Sequence, residues 1–395
     1  MNATKFACLT GATALALAAA GAARADDTPP AAAPAAPAGP TALSSPSMSS
    51  SLAAPSDPLN IDLGPAGKIY VSGQATLFAA AETAAPTSSQ KKKGDVSNLQ
   101  IEVQKTDGVF QFYVQAGEYN LPSLGTPMLT TTRLTEDTFR YVPTAYIKIV
   151  PNAAFNVEVG ILPTLIGAEY TFSFQNLNIE RGLLWNQEPA ISRGVQANYT
   201  QGPLAVSVSI NDGYYSDHYS TVSGLATYTL SPKDTLAVAA SGNFDKTSRS
   251  SFVTPVAQNN GTIWNVIYTH TEGNWVLNPY IQYSTTPKDN AFGLPSSAST
   301  FGAAVLAKYQ FNPLFNLAGR VEYISSSGSQ VALLYGTKSD AWSFTLTPTL
   351  QVKQYFVRGE FSYTKIGSGT PGSEFGKFAN KSDQSRAMIE TGVLF

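Results

Sequence analysis

Two histidines, one cysteine and a few clustered charges are all that this 395-residue chain offers to side-chain chemistry. His218 follows Asp217 in a stretch read as a loop, and His270 closes a strand-like run. A hydrolytic site would need a nucleophile and an orienting carboxylate converging on one of them, and the spacing offers neither. No Cys, His or carboxylate spacing fits a metal, so the reading expects no metal, no cofactor and no enzyme. Gly367-Ser368-Gly369-Thr370-Pro371-Gly372 has the letters of a dinucleotide fingerprint. The fingerprint needs a helix to follow it, but here Pro371 and more glycine follow, so the segment reads as a loop. Lys91-Lys92-Lys93 is a basic run, either a solvated loop tip or a contact to an anionic surface. The densest constellation is Glu169, Glu180, Arg181 and Glu188, interleaved with Tyr170, Phe172, Phe174 and Trp185.

The elements that must position these groups are written in composition and periodicity. Charged residues make up 13% of the chain, about half the usual globular share. Tyr and Phe number 19 and 20 against four Met, yet no stretch after the N-terminus is apolar enough for a membrane helix. Net charge gives no reason to expect nucleic acid as a partner. Low charge with many aromatics and no apolar helix fits a wall of membrane-crossing strands better than a soluble enzyme.

The N-terminus reads as an export signal. Lys5 supplies the positive start, Leu9 to Ala20 the short apolar run, and Ala23-Arg24-Ala25 the small-residue cleavage site. Removing residues 1–25 takes away Cys8, Lys5 and Arg24, leaving 23 basic and 27 acidic residues and a net charge of −4. Residues 26–66 are rich in Pro, Ala and Ser and read as a flexible tether, because they cannot bury enough surface to offset ordering entropy. The remaining unit, 67–395, is the folded one.

From Lys68 onward, runs of about ten residues alternate apolar and polar positions, so each strand has one greasy and one wet face. Trp342, Phe344 and Leu346 oppose Ser343, Thr345 and Thr347; Ile389, Thr391 and Val393 oppose Met388, Glu390 and Gly392. Sixteen such runs can be counted. Tight turns such as Gln201-Gly202 and Glu272-Gly273-Asn274 alternate with long connections, the longest from Pro163 to Ile191. The expectation is all-β: a transmembrane antiparallel β-barrel of about sixteen strands with short turns at one end and long loops at the other. An even strand number leaves both termini on the short-turn side, which an exported chain would keep in the periplasm. Sixteen to eighteen strands enclose a water-filled space where about eight would not.

The charges assigned to the wet face are Glu102, Lys148, Glu158, Lys308, Arg320, Glu322, Arg358, Glu360, Arg386 and Glu390. They are balanced in sign, so weak ion selectivity is expected. Cross-strand pairing that stiffens the wall is the alternative role. The aromatic content of 163–191 suggests burial inside the barrel. Glu169, Glu180, Arg181 and Glu188 would then form a constriction, facing basic wall residues across a gap. A folded outer lid or a subunit contact is the other reading.

One further pattern is specific. Val157-Glu158-Val159-Gly160-Ile161-Leu162-Pro163, then Gly167-Ala168-Glu169, Glu188-Pro189, Gly194-Val195 and Ile210-Asn211-Asp212-Gly213 resemble the OmpL-like β-barrel porin family, with Ile191-Ser192-Arg193 departing from its pattern. The resemblance covers most of 68–395 and implies a channel of the Gram-negative outer membrane with its substrate open. Taken with the barrel pattern, the expected function is a porin for passive diffusion of small hydrophilic solutes. It also implies that the terminal Phe395 is a signal to the barrel-assembly machinery. Lipopolysaccharide at Lys91-Lys92-Lys93 and a homotrimer are the other partners expected. A closed structural or adhesive barrel is the alternative function, and a barrel hydrolase a more distant one.

Overall fold

The computed structural model describes residues 52–53, 59–86, 89–292, 294–328 and 334–395. The expected signal at 1–25 and all of the expected tether except 52–53 and 59–66 lie outside the described residues.

The alternation seen in the sequence becomes a continuous antiparallel ladder. Its strands are β1 (Leu59–Asp62), β2 (Lys68–Glu82), β3 (Lys92–Lys105), β4 (Phe110–Tyr119), β5 (Thr144–Asn152), β6 (Phe155–Pro163), β7 (Ile191–Gln201), β8 (Leu204–Asn211) and β9 (Thr221–Ser231). They continue as β10 (Asp234–Asn243), β11 (Thr262–Glu272), β12 (Trp275–Thr286), β13 (Ala298–Asn312), β14 (Phe315–Gly328), β15 (Asp340–Val352), β16 (Tyr355–Ser368) and β17 (Asp383–Leu394). Each of β2 to β17 pairs with its sequence neighbours, and β17 returns to pair with β2 in the register Met388↔Ala80 and Leu394↔Gln74. The result is a closed sixteen-stranded barrel with no free edge. The seam ends in two reciprocal 2.9 Å hydrogen bonds between the backbones of Phe395 and Gly73.

Closure sorts the side chains. Along β15, Trp342, Phe344, Leu346, Leu350 and Val352 are exposed outward, while Ser343, Thr345, Thr347, Thr349 and Gln351 are buried inward. An outward row of that kind is stable only against lipid. Aromatics ring the outer surface towards the strand ends. At the short-turn rim Trp275, Tyr309, Phe311 and Phe315 form an unbroken chain of ring contacts. Among the described residues no helix is long and apolar enough to cross a membrane.

Two expectations need adjusting. The end of the expected tether is ordered: β1 pairs with the start of β2, Leu59 opposite Val71 and Asp62 opposite Lys68. Leu59 and Ile61 supply the alternation that the Pro/Ala composition around them hides. The second long connection also contains a short helix, α1 (Thr131–Asp137), with an Arg133–Asp137 pair at 3.2 Å one turn apart.

Candidate functional site

The interior is occupied by the connection between β6 and β7. Its side chains Leu165, Ile166, Leu177, Leu183 and Leu184 are buried in one cluster with inward residues of the wall, among them Ile263, Ile267, Tyr280, Leu306 and Ile324. Each fully buried Leu or Ile contributes about 1.5–3 kcal/mol relative to exposure, so this packing alone favours the inward position. A second cluster joins Phe172, Ala190 and Ile191 to Tyr119, Leu134 and Phe139 of the neighbouring connection. The loop therefore lies inside the barrel and is not an outer lid.

Wall charges hold its backbone. Glu360 accepts the consecutive N–H groups of Ile179 and Glu180 at 2.5 and 2.9 Å, with the Thr347 hydroxyl at 2.7 Å. Glu322 does the same for Leu183 and Leu184 at 3.1 and 3.4 Å, with Ser343 at 2.6 Å. Arg320 donates to the Glu180 carbonyl at 2.7 Å and meets Glu169 at 2.6 Å and Glu322 at 3.1 Å. Arg358 donates to the carbonyls of Ser173 and Asn176 at 2.6 and 3.1 Å and pairs with Glu390. Arg386 joins Glu82 and Glu180, each at 2.7 Å, and donates to the carbonyls of Ser123 and Thr126. Ionised partners make these bonds roughly twice as strong as neutral ones.

The loop's own charges complete the lattice. Glu169 accepts the Gly182 N–H at 2.8 Å, and Glu180 accepts the Ser362 hydroxyl at 2.8 Å. Arg181 is buried with its guanidinium 5.1 Å from the Trp185 ring and no hydrogen-bond acceptor among the described residues. Glu188 is buried with both carboxylate oxygens likewise unpartnered, against Gly167. Gly167 has φ +89°, and a Cβ there would lie 1.7 Å from the Glu188 carboxylate, so only glycine fits. A Cβ on Gly182 would stand 2.0 Å from Glu322 Oε1 and push the loop off its latch.

A family profile described as Putative beta-barrel porin-2, OmpL-like matches residues 68–395. The chain belongs to this family. This porin also shares its fold with solved outer-membrane proteins. Outer-membrane expressed OmpT of Vibrio cholerae is 12% identical, with a TM-score of 0.58 covering 86% of this chain and 100% of that one. The trimer form of in-vitro folded OmpT from the same organism has 12% identity and a TM-score of 0.56 over 83% and 99% of the two chains. Salmonella typhi OmpF, solved in complex with daunomycin, has 13% identity and a TM-score of 0.55 over 85% and 100%. No curated protein sequence gives a significant match.

Several of the residues that carried the resemblance hold loop geometry in this porin. Gly167 makes room for Glu188, and Glu169 ties the loop to Arg320. Asn211 accepts the Gly213 N–H at 2.8 Å, and Asp212 receives the backbone and side chain of Arg193 at 2.7 and 2.8 Å. Arg193, at the position departing from the family pattern, thus pins the loop's exit to the next outer connection.

Several expected site residues occupy other surroundings than anticipated. Arg320, Glu322, Arg358, Glu360, Arg386 and Glu390 sit on the inward face but are at most 5% exposed, sealed under the loop and not lining open water. Glu180 was expected to face basic wall residues across a gap; it touches Arg386 directly, because ion pairing closes the gap. Of the ten wall charges, Lys148 and Lys308 are partly exposed, and Glu102 and Glu158 are buried on the inward face. Lys148 pairs with Glu158 at 3.4 Å. In the lysine run, Lys93 turns inward to the Leu129 carbonyl and Asp95, leaving Lys91 and Lys92 outward.

The histidines are pair partners. His218 meets Asp245 at 3.2 Å in the outer loops, and His270 meets Asp234 at 2.7 Å at the short-turn rim. Nearby, Asp217 is bonded by Arg249 at 2.9 Å with Arg193 beside it, and these cations hold its carboxyl below the usual range.

The latch function of the wall glutamates was not read from sequence. A signal existed: inward positions Ile263 and Ile267 on β11, and Ala304 and Leu306 on β13, are apolar on a face expected to be wet. An apolar lumen face implies something packed against it.

Proposed function

We propose that this porin passes water and small hydrophilic solutes along the side of its lumen that the folded-in loop leaves uncovered. The observation that carries the reading is an asymmetry of exposure. On β5 to β8 the inward side chains nearest the short turns, Lys148, Asn156, Asn198 and Ser207, are partly exposed, while Tyr146, Glu158, Gln196 and Ser209 further along the same strands are buried. On β15, the inward residues from Ala341 to Gln351 are all buried. The path then opens beside Lys148 and its buried partner Glu158, a cation and an anion side by side, which predicts weak selectivity between ions. The loop supplies the opposite wall through Phe174, Gln175 and Trp185, each partly exposed, so it sets the width.

In this reading the short turns and both termini face the periplasm, the even strand number putting the two ends of the barrel on one side. In the same reading assembly machinery recognises Phe395, which is 38% exposed at the seam. Lys91 and Lys92 face lipopolysaccharide. Three copies assemble through the apolar outer wall, as the trimer form of the similar OmpT suggests.

The extent of filling favours a second reading, a closed structural or adhesive barrel. Swelling of liposomes carrying the purified protein separates the two. Uptake of small sugars with a sharp size limit supports the channel, and no uptake of any solute supports the closed barrel. Within the channel reading, Lys148→Glu shifts the reversal potential towards cations; an unchanged potential would move the path elsewhere.

A further inference from the structure

The short-turn mouth of the barrel holds a piece of the chain that precedes the first strand. Leu52 is 7% exposed, packed in one cluster with Phe356 of β16 and Leu394 of β17, which are 4% and 7% exposed, and with Phe174 of the folded-in loop. Phe356 and Leu394 both point into the lumen, near the ends of their strands at the short turns. Beside them, the Ala53 N–H donates to Gln351 Oε1 at 2.8 Å, and Gln351 Nε2 donates back to the Ala53 carbonyl at 2.9 Å. Gln351 Nε2 also donates to the Lys353 carbonyl at 2.9 Å, which fixes the amide's orientation.

Both halves of this contact are specific. A side-chain amide that meets a backbone N–H and C=O together reproduces the pairing of a neighbouring strand. It fixes position along the chain without needing a particular side chain at residue 53. Leu52 then supplies the anchor. Between Asp26 and Pro58 the chain has only Leu43, Met48 and Leu52 as bulky apolar residues, so burial of Leu52 uses a scarce resource. The buried surface also includes the loop, through Phe174, which is one of the residues that set the width of the path proposed above.

We propose that the segment at Leu52–Ala53 is a built-in plug: it seats in the short-turn mouth between the wall of β15 to β17 and the folded-in loop, and it restricts flow by holding Phe174 of the loop towards the path along β5 to β8. The inference rests on the channel reading above. Its occupant is the chain's own N-terminal segment, held by the Gln351 amide and the pocket of Phe356 and Leu394.

Two measurements on the full-length, membrane-inserted protein test it. The first does not depend on conduction. The sequence has one cysteine, Cys8, ahead of the expected cleavage site, so the double variant Leu52→Cys/Leu394→Cys carries the reporting pair. Mild oxidation in the outer membrane is expected to join the pair in most molecules, with Leu52→Cys/Phe356→Cys as a second pair. Absence of a disulfide in both overturns the seating. The second is single-channel conductance. Leu52→Asp places a charge in an apolar pocket and expels the segment, and removal of residues 26–53 takes it away. Both variants are expected to conduct roughly twofold more than the wild-type protein. Retained heat-modifiable migration in electrophoresis shows that each barrel has folded. Equal conductance in wild type and variants overturns the plug while leaving the channel standing. Disulfide formation with no conductance in any form fails the channel reading and, with it, the restriction of flow.

Discussion

Replacing Glu360 by alanine should release the folded-in loop without dissolving the barrel. The Glu360 carboxylate accepts two consecutive loop N–H groups and the Thr347 hydroxyl, and no arginine among the described residues forms an ion pair with it. Its loss leaves three buried donors without an acceptor. Each unsatisfied donor costs about 1–3 kcal/mol, and the loop can recover part of that by shifting towards water. A net penalty of about 3 kcal/mol is reasonable, and at 1.4 kcal/mol per decade it moves the local opening equilibrium by roughly a hundredfold. The penalty falls on the seated loop, because the ladder of β16 with β15 and β17 does not use this carboxylate. Hydrogen exchange followed by mass spectrometry resolves the difference. Peptides spanning 176–188 should lose about two decades of protection, while those from β11 to β13 keep theirs. Glu360→Gln, which keeps one acceptor oxygen, should fall between. Unchanged protection in 176–188 would refute the latch, and an equal loss across all strands would show that Glu360 supports the barrel itself.

Other outcomes follow from the same geometry. Arg320→Ala strands the carboxylates of Glu169 and Glu322 in a buried site and should lower stability by about 3–5 kcal/mol, read as a lower urea midpoint for the detergent-refolded protein. Gly182→Val should open the loop as Glu322→Ala does, and the double variant should add little, since both disrupt one contact; additive exchange rates would separate them. Ile389→Arg puts a cation on the lipid face of β17 and should cost about 2–4 kcal/mol in refolding into bilayers, whereas Thr391→Ser on the same face should cost much less.

The barrel was legible because its cause is periodic. A strand with lipid on one side and water on the other must alternate, and β15 and β17 do so without exception over their central residues. The turn and loop lengths then gave strand number and closure. Residues 163–191 were legible as more than a solvated loop, because Tyr170, Phe172, Phe174 and Trp185 are too many aromatics for free water. Burial inside the barrel and an outer lid remained equal alternatives until the structure buried Leu165, Ile166, Leu177, Leu183 and Leu184 against the wall. The function of the wall charges was not legible. Arg320 or Glu360 on an inward face looks the same whether it meets water or a loop folded from 140 to 181 residues away in sequence. Such pairings depend on the loop's path, which no local pattern encodes. The ordered Leu52 and Ala53 were hidden for the same reason, since their partners Gln351, Phe356 and Leu394 lie some 300 residues further on.

Single-channel recording from the purified protein in a planar bilayer, with neutral solutes of increasing size added to both sides, bears most directly on the claim that a water path survives beside the loop. The account predicts discrete steps of conductance that small polyols reduce and larger ones leave untouched. A protein that inserts, migrates as a folded barrel and never conducts would contradict it.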